Sequence, residues 1–256
     1  MDPGADTEDE PESAPPRVSD PREKALLCVG LLIYCFGGYY GIAYVQTGPG
    51  ASLRTSLDDA IPFVPAFMWA YFIVYTSLFV PVFTVRCRRL FRRTAQAYFA
   101  VLTVCLISWA VFPVTATHLR PDVSGLDTSW FHLWGLRVNY ALDPPTNLFP
   151  SMHVAIAVVA TLAAYTASRL WGLLASIPTV LVCASICLVK QHFVVDGIAG
   201  AAIAVTVWAL MLRGHPSEHA AGATYTWRGP ASYVVLHLSA LICLKIAHVA
   251  GWKPYL

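Results

Sequence analysis

The chain has 256 residues, 57% of them hydrophobic, with a net charge of +2 and a mean hydropathy of +0.57. An apolar excess of that size excludes an ordinary soluble domain, and the small net charge gives no reason to expect nucleic acid as a partner. Only 12% of the residues are charged, and they are unevenly placed.

Eight of the 15 acids (Asp2, Asp6, Glu8, Asp9, Glu10, Glu12, Asp20 and Glu23) precede the first apolar run. Residues 1–23 therefore read as a disordered acidic tail, too polar to bury a core. They are not a secretory leader, because a basic start and a small-residue cleavage site are both missing. A spanning helix needs about 20 mostly apolar residues. Six runs qualify, near 25–45, 60–82, 95–114, 152–170, 172–189 and 194–212. The expected fold is thus all-α, a polytopic membrane helix bundle whose core occupies residues 24–213. Residues 214–256 should add a cytoplasmic loop and a seventh span near 231–250. That last run carries His237, Lys245 and His248 on one helical face, which must turn toward the bundle, water or headgroups. The seven cysteines lie almost wholly inside apolar runs and show neither zinc-ligand spacing nor a disulfide framework.

Basic residues orient the bundle. Arg86, Arg88, Arg89, Arg92 and Arg93 crowd the turn after the second run, which should be cytoplasmic together with the N-terminus. The long connection at 115–150 then lies outside, and its aromatics (Trp130, Phe131, Trp134, Tyr140) suit a lid on the membrane interface. The expected location is a multi-pass protein of the plasma membrane with an outward-facing site.

Two polar clusters open apolar runs on that outer surface: Pro150-Ser151-Met152-His153, and His192 with Asp196 four residues on. Pro150 suits a helix start and Ser151 a helix cap. His192 and Asp196 share a helix face, so the carboxylate can hold one imidazole tautomer and raise its basicity. Two helix N-termini at one surface favour an anion, and Arg120 and Lys190 add cations. That set matches what a phosphate ester requires. Neutral His192 would attack phosphorus, protonated His153 would serve the departing alcohol, and Arg120, Ser151 and Lys190 would hold the phosphate oxygens.

These residues resemble the phosphatidic acid phosphatase type 2 and haloperoxidase superfamily. Its second block matches Pro150-Ser151-Met152-His153, and its third matches Ser185, His192 and Asp196. The first survives only as Arg120-Pro121, Pro113 stands where the family has lysine, and Ile186 replaces the arginine that usually follows the serine. Asn147 to His153 and Lys190 to Phe193 are similar to the branch containing inositol phosphorylceramide synthases. The resemblance spans about residues 58–212. It implies a six-helix core, a lipid phosphate substrate, a phosphohistidine intermediate and no cofactor or metal. It also implies supporting places for Asn147 and Pro150 and a phosphate contact for Ser185.

Hydrolysis, with water as acceptor, needs no second pocket and is the preferred reading. A lipid phosphotransferase would use the same residues. A catalytically inactive binding protein is the alternative suggested by the missing lysine and arginine. A metal site built from His153, His192 and Asp196 is a further one. The motifs say nothing about oligomeric state.

Overall fold

The computed structural model describes residues 18–46, 48, 50–215 and 226–255. The acidic stretch up to residue 17 and most of the loop before the last helix lie outside the described residues. The first helix, α1 (Pro21–Val45), starts earlier than its apolar run because the Asp20 carboxylate caps it, accepting the Arg22 N–H at 3.0 Å. Residues 21–23 therefore belong to this helix and not to the tail. After a short α2 (Ser56–Ala60), the second run is not one continuous helix.

That run divides into η1 (Pro65–Phe67), α3 (Met68–Tyr71), α4 (Val74–Ser77) and α5 (Val80–Thr84). Tyr75, Thr76, Phe79 and Val82 each bond to a carbonyl three residues back, the tighter 3₁₀ pattern. Pro81 removes one donor from the ladder. Ser77 and Thr84 turn their hydroxyls onto the Val74 and Val80 carbonyls.

The third helix, α6 (Arg88–Val111), begins seven residues before its apolar run, so the basic cluster forms its first turns. Arg88 and Arg92, one turn apart, both bind the Glu23 carboxylate, with Arg88 at 2.6 Å. Pro113 disfavours helix at Phe112, and α6 stops at Val111.

At the centre stands α8 (Met152–Ala167), whose Ala155, Ala157, Ala160, Ala163, Ala164 and Ala167 are all buried. Side chains this small let α6, α9 (Arg169–Leu188) and α10 (Val194–Met211) close around it. Ser168 alone separates α8 from α9. The return is that tight because Gly172 lacks a Cβ, which would lie 2.3 Å from the Tyr165 Cα.

Among the described residues five helices are long and apolar enough to cross a membrane: α1, α6, α9, α10 and α11 (Arg228–Val249). The central α8 has 16 residues. It is about 24 Å long against a hydrocarbon layer of about 30 Å, so its start can sit below the membrane surface. The chain is an all-α, multi-pass membrane bundle. The polar face of α11 does turn inward: His237 Nδ1 lies 2.9 Å from Thr76 Oγ1, and His248 Nε2 lies 2.9 Å from the Thr128 carbonyl.

The connection before α8 contains α7 (Phe131–Leu142). Its aromatics correct the expectation of an interfacial lid. Phe131 and Trp134 are buried, packed on Phe72 and His248, while Trp130 alone among the four is exposed. Their partners come from the broken second segment and from α11. Sequence position gives no sign of either contact.

Candidate active site

The two histidine clusters meet. His153 Nδ1 lies 3.0 Å from His192 Nε2, and His192 Nδ1 lies 3.3 Å from Asp196 Oδ2. The rings stand nearly edge to face, with centroids 5.3 Å apart and an angle of 73°. Asp196 and His192 are buried at 0% and 3% exposure, so the pair interacts with little solvent screening. One proton arrangement satisfies the chain of contacts. Asp196 accepts the Nδ1–H of His192, which leaves Nε2 as a lone pair facing the N–H of His153.

Asp196 has two tasks through one oxygen. Oδ2 also accepts the Phe193 N–H at 2.9 Å, which caps α10. The oxygen that caps the helix and the one that faces the imidazole are the same atom. Oδ1 makes no hydrogen bond. Asp196→Asn keeps the shape but presents one oxygen and one amide. Turnover should fall by about 10²–10⁴-fold with folding retained, because His192 is no longer held in the right tautomer. Steady-state rates of the purified variant check this; an unchanged rate removes the orienting role.

Ser151 is the N-cap of α8, its hydroxyl accepting the Val154 N–H at 3.4 Å. Its own N–H donates to the Asp196 carbonyl at 2.9 Å, which joins the starts of α8 and α10. Pro150 is not the first helical residue, as the sequence suggests, but precedes the cap. Its bond to Phe149 is cis and its carbonyl accepts the Trp109 indole at 3.2 Å. Asn147 donates to the Tyr39 carbonyl at 2.8 Å, and its own oxygen has no partner.

The cations divide. Arg120 directs Nη1 to the Asp143 and Tyr140 carbonyls at 2.9 and 3.3 Å, with its guanidinium over the Tyr140 ring. Its Nε and Nη2 are buried without a partner, two N–H groups on one edge of a cation. Burial makes the charge costly, and it lowers the guanidinium below its usual range. Lys190 does not join the cluster. From a left-handed backbone (φ 55°) its ammonium reaches the Asp58 and Ile61 carbonyls at 2.7 and 2.5 Å. Ser185 donates to the Val182 carbonyl within α9 at 2.8 Å and is fully buried.

Two acids not singled out in the sequence complete the surroundings. Asp58 is buried and accepts the Val194 N–H at 2.8 Å, capping α10 from 136 residues away. Burial would raise this carboxyl, but the Val194 and Thr55 donors hold it below the usual carboxylate range. Asp143, at the end of α7, faces Tyr39, Tyr71 and Gln191. Only their separation in the chain hides these contacts from sequence reading.

No curated protein matches the chain. A family model described as the PAP2 superfamily matches residues 46–210, a span that holds both histidines, Asp196, Arg120 and the two polar clusters. It leaves out α1 and α11. A match over that share of the sequence shows that the chain belongs to the PAP2 superfamily of phosphoesterases and phosphotransferases with lipid-related function.

Proposed function

We propose that the protein is a lipid phosphate phosphatase of the outer membrane face, using His192 as a metal-independent nucleophile. The observation that carries this reading is the linear relay Asp196–His192–His153, with contacts of 3.3 and 3.0 Å. In the resting chain, His153 covers the lone pair of His192. A phosphate ester entering the site takes the place of that hydrogen bond. His192 Nε2 then bonds to phosphorus as the phosphorus–oxygen bond to the lipid breaks, and His153, carrying a second proton taken up together with the anionic phosphate ester, passes that proton to the departing oxygen. Asp196 stabilises the positive charge that builds on His192. Water next attacks phosphorus, losing its proton to His153, and the P–N bond breaks to release inorganic phosphate and free His192.

Arg120 suits the nonbridging oxygens, because its unpartnered Nε and Nη2 match a phosphate fork. Ser151, at the mouth of α8, is the second candidate donor. Lys190 is held by carbonyls and supports the turn that presents His192. The orientation rests on charge. The basic residues at 22–24, 86–93 and 228 lie at the end of the bundle opposite the relay, the distribution of an inward-facing end.

The test is purified protein against a panel of lipid phosphates, with inorganic phosphate and headgroup transfer to added alcohols as separate readouts. Phosphate release without a metal requirement is expected. Transfer to an alcohol with no release identifies a phosphotransferase, and no reaction on the panel contradicts the reading. In the same assay Arg120→Ala should raise KM and lower kcat, together about 10²–10³-fold in kcat/KM. If neither moves, Arg120 does not hold the phosphate.

A further inference from the structure

Asp143 stands at the C-terminal end of α7, where its N–H donates to the Asn139 carbonyl at 2.8 Å and ends the helix. Three neutral donors from separate parts of the chain converge on its carboxyl: the Tyr39 hydroxyl of α1, the Tyr71 hydroxyl of α3 at 3.4 Å and the Gln191 amide. Arg120 does not pair with the carboxyl; it binds the main-chain carbonyl of Asp143 instead.

Two of these donors, and the Asp143 main-chain carbonyl, lead to a residue of the relay or its phosphate cradle. Gln191 adjoins His192, and both of their N–H groups donate to the Ile186 carbonyl, at 2.8 and 3.1 Å. Holding the Gln191 side chain therefore fixes the turn that presents the nucleophile. Tyr71 is fully buried, and its ring meets His153 edge to face with centroids 5.6 Å apart. The Asp143 main-chain carbonyl steadies Arg120. A carboxyl placed among neutral donors without a cation is costly unless it serves a purpose. An apolar residue at the end of α7 would avoid that cost.

We infer that Asp143 is a positioning residue, a single acid that sets both imidazoles through Gln191 and Tyr71. The inference rests on the proposed phosphatase reading of the same site. Burial pushes its carboxyl up to about 8, only partly offset by the Gln191 hydrogen bond. The acid is thus neutral at pH 7 and ionises as the pH rises through about 8. In the neutral form it offers one acceptor and one donor, the same pattern as asparagine. The groups around it are the phenols of Tyr39 and Tyr71, the Arg120 guanidinium and the Tyr140 ring beneath it. His153 lies behind Tyr71 and His192 behind Gln191.

Two substitutions test the role. Asp143→Asn should work within about threefold of the parent at pH 7, because the hydrogen-bond pattern survives. Above about pH 9 it should exceed the parent, whose carboxyl has ionised while the amide cannot. The variant-to-parent ratio isolates this effect, since any pH dependence of the two imidazoles is common to both. Asp143→Ala should lower kcat by about 10²-fold with a much smaller change in KM. A ratio that does not change with pH overturns the inference, as does an asparagine variant as impaired as the alanine one. If the alanine variant fails to fold, the asparagine ratio alone decides.

A readout independent of turnover separates this claim from the reading beneath it. The imidazole ¹⁵N shifts of His153 and His192 should move in Asp143→Ala and stay in Asp143→Asn. Should the parent hydrolyse no lipid phosphate, the phosphatase reading fails while these shifts still report on positioning. Unmoved shifts in a folded alanine variant overturn it.

Discussion

His192→Ala should abolish turnover, a loss of at least about 10⁴-fold, in a protein that still folds and extracts normally. The reasoning is atomic. On the proposed reading Nε2 is the atom that bonds to phosphorus, and Asp196 orients the ring for it through Nδ1 at 3.3 Å. Alanine removes that atom and leaves the His153 N–H and part of the Asp196 carboxylate without a partner. Each orphaned group costs about 1–3 kcal/mol. The fold should nevertheless survive, because Asp196 keeps its cap on the Phe193 N–H and Asp58 keeps its cap on the Val194 N–H. Single-turnover rates and thermal unfolding in detergent would separate the two effects. Near-normal turnover in the folded variant would remove His192 from the reaction.

A second large effect is expected at a residue with no side chain at all. Gly200 lies where α10 crosses the start of α8, and a Cβ there would stand 2.3 Å from the Ser151 carbonyl oxygen. The obstacle is backbone, so no side chain can turn away to accommodate it. Gly200→Ala must push the two helices apart, which stretches the 2.9 Å bond from the Ser151 N–H to the Asp196 carbonyl. That bond joins the helices bearing His153 and His192. A displacement of about 1 Å at reacting groups can cost about 10²-fold in rate. Overpacking of this kind destabilises by about 1–3 kcal/mol, offset in part by the better helix propensity of alanine. Activity is therefore the sharper readout. Gly197→Ala is the control, since its Cβ would meet only side-chain ends, Ile186 Cδ1 at 3.3 Å and Val154 Cγ2 at 3.8 Å. If both variants are equally active, the close crossing does not set the site.

The contrast between those two glycines also marks how far sequence reading reaches. Both stand in the same apolar run, and nothing in the sequence tells which of them meets a neighbouring backbone. His153, His192 and Asp196 were legible because their chemistry is rare in apolar surroundings and their spacing places them at helix starts. The all-α bundle was legible for a similar reason, as composition and run length alone dictate it. The broken second segment was not. Hydropathy is blind to whether an N–H bonds three or four residues back, and only Pro62, Pro65 and Pro81 hint at interruption. Lys190 showed its charge but not its direction, which a positive φ turns toward Asp58 and Ile61. Asp58 and Asp143 carry no sign of their partners in the sequence, because these lie 136 residues away at Val194 and 48 and 104 away at Gln191 and Tyr39.

The relay also explains why the site can be intact without the family's usual lysine and third-block arginine. Arg120 has two free N–H groups beside the cluster, and the starts of α8 and α10 converge on it. A phosphate bound there would be met by fewer charges and more oriented N–H donors.

Rapid quenching of the protein with a labelled lipid phosphate tests the central claim most directly. The label should appear on the peptide containing His192, stable to alkali and lost in mild acid, as a phosphorus–nitrogen bond requires. Turnover with no protein-bound label, or label that survives acid on Ser151, would contradict it.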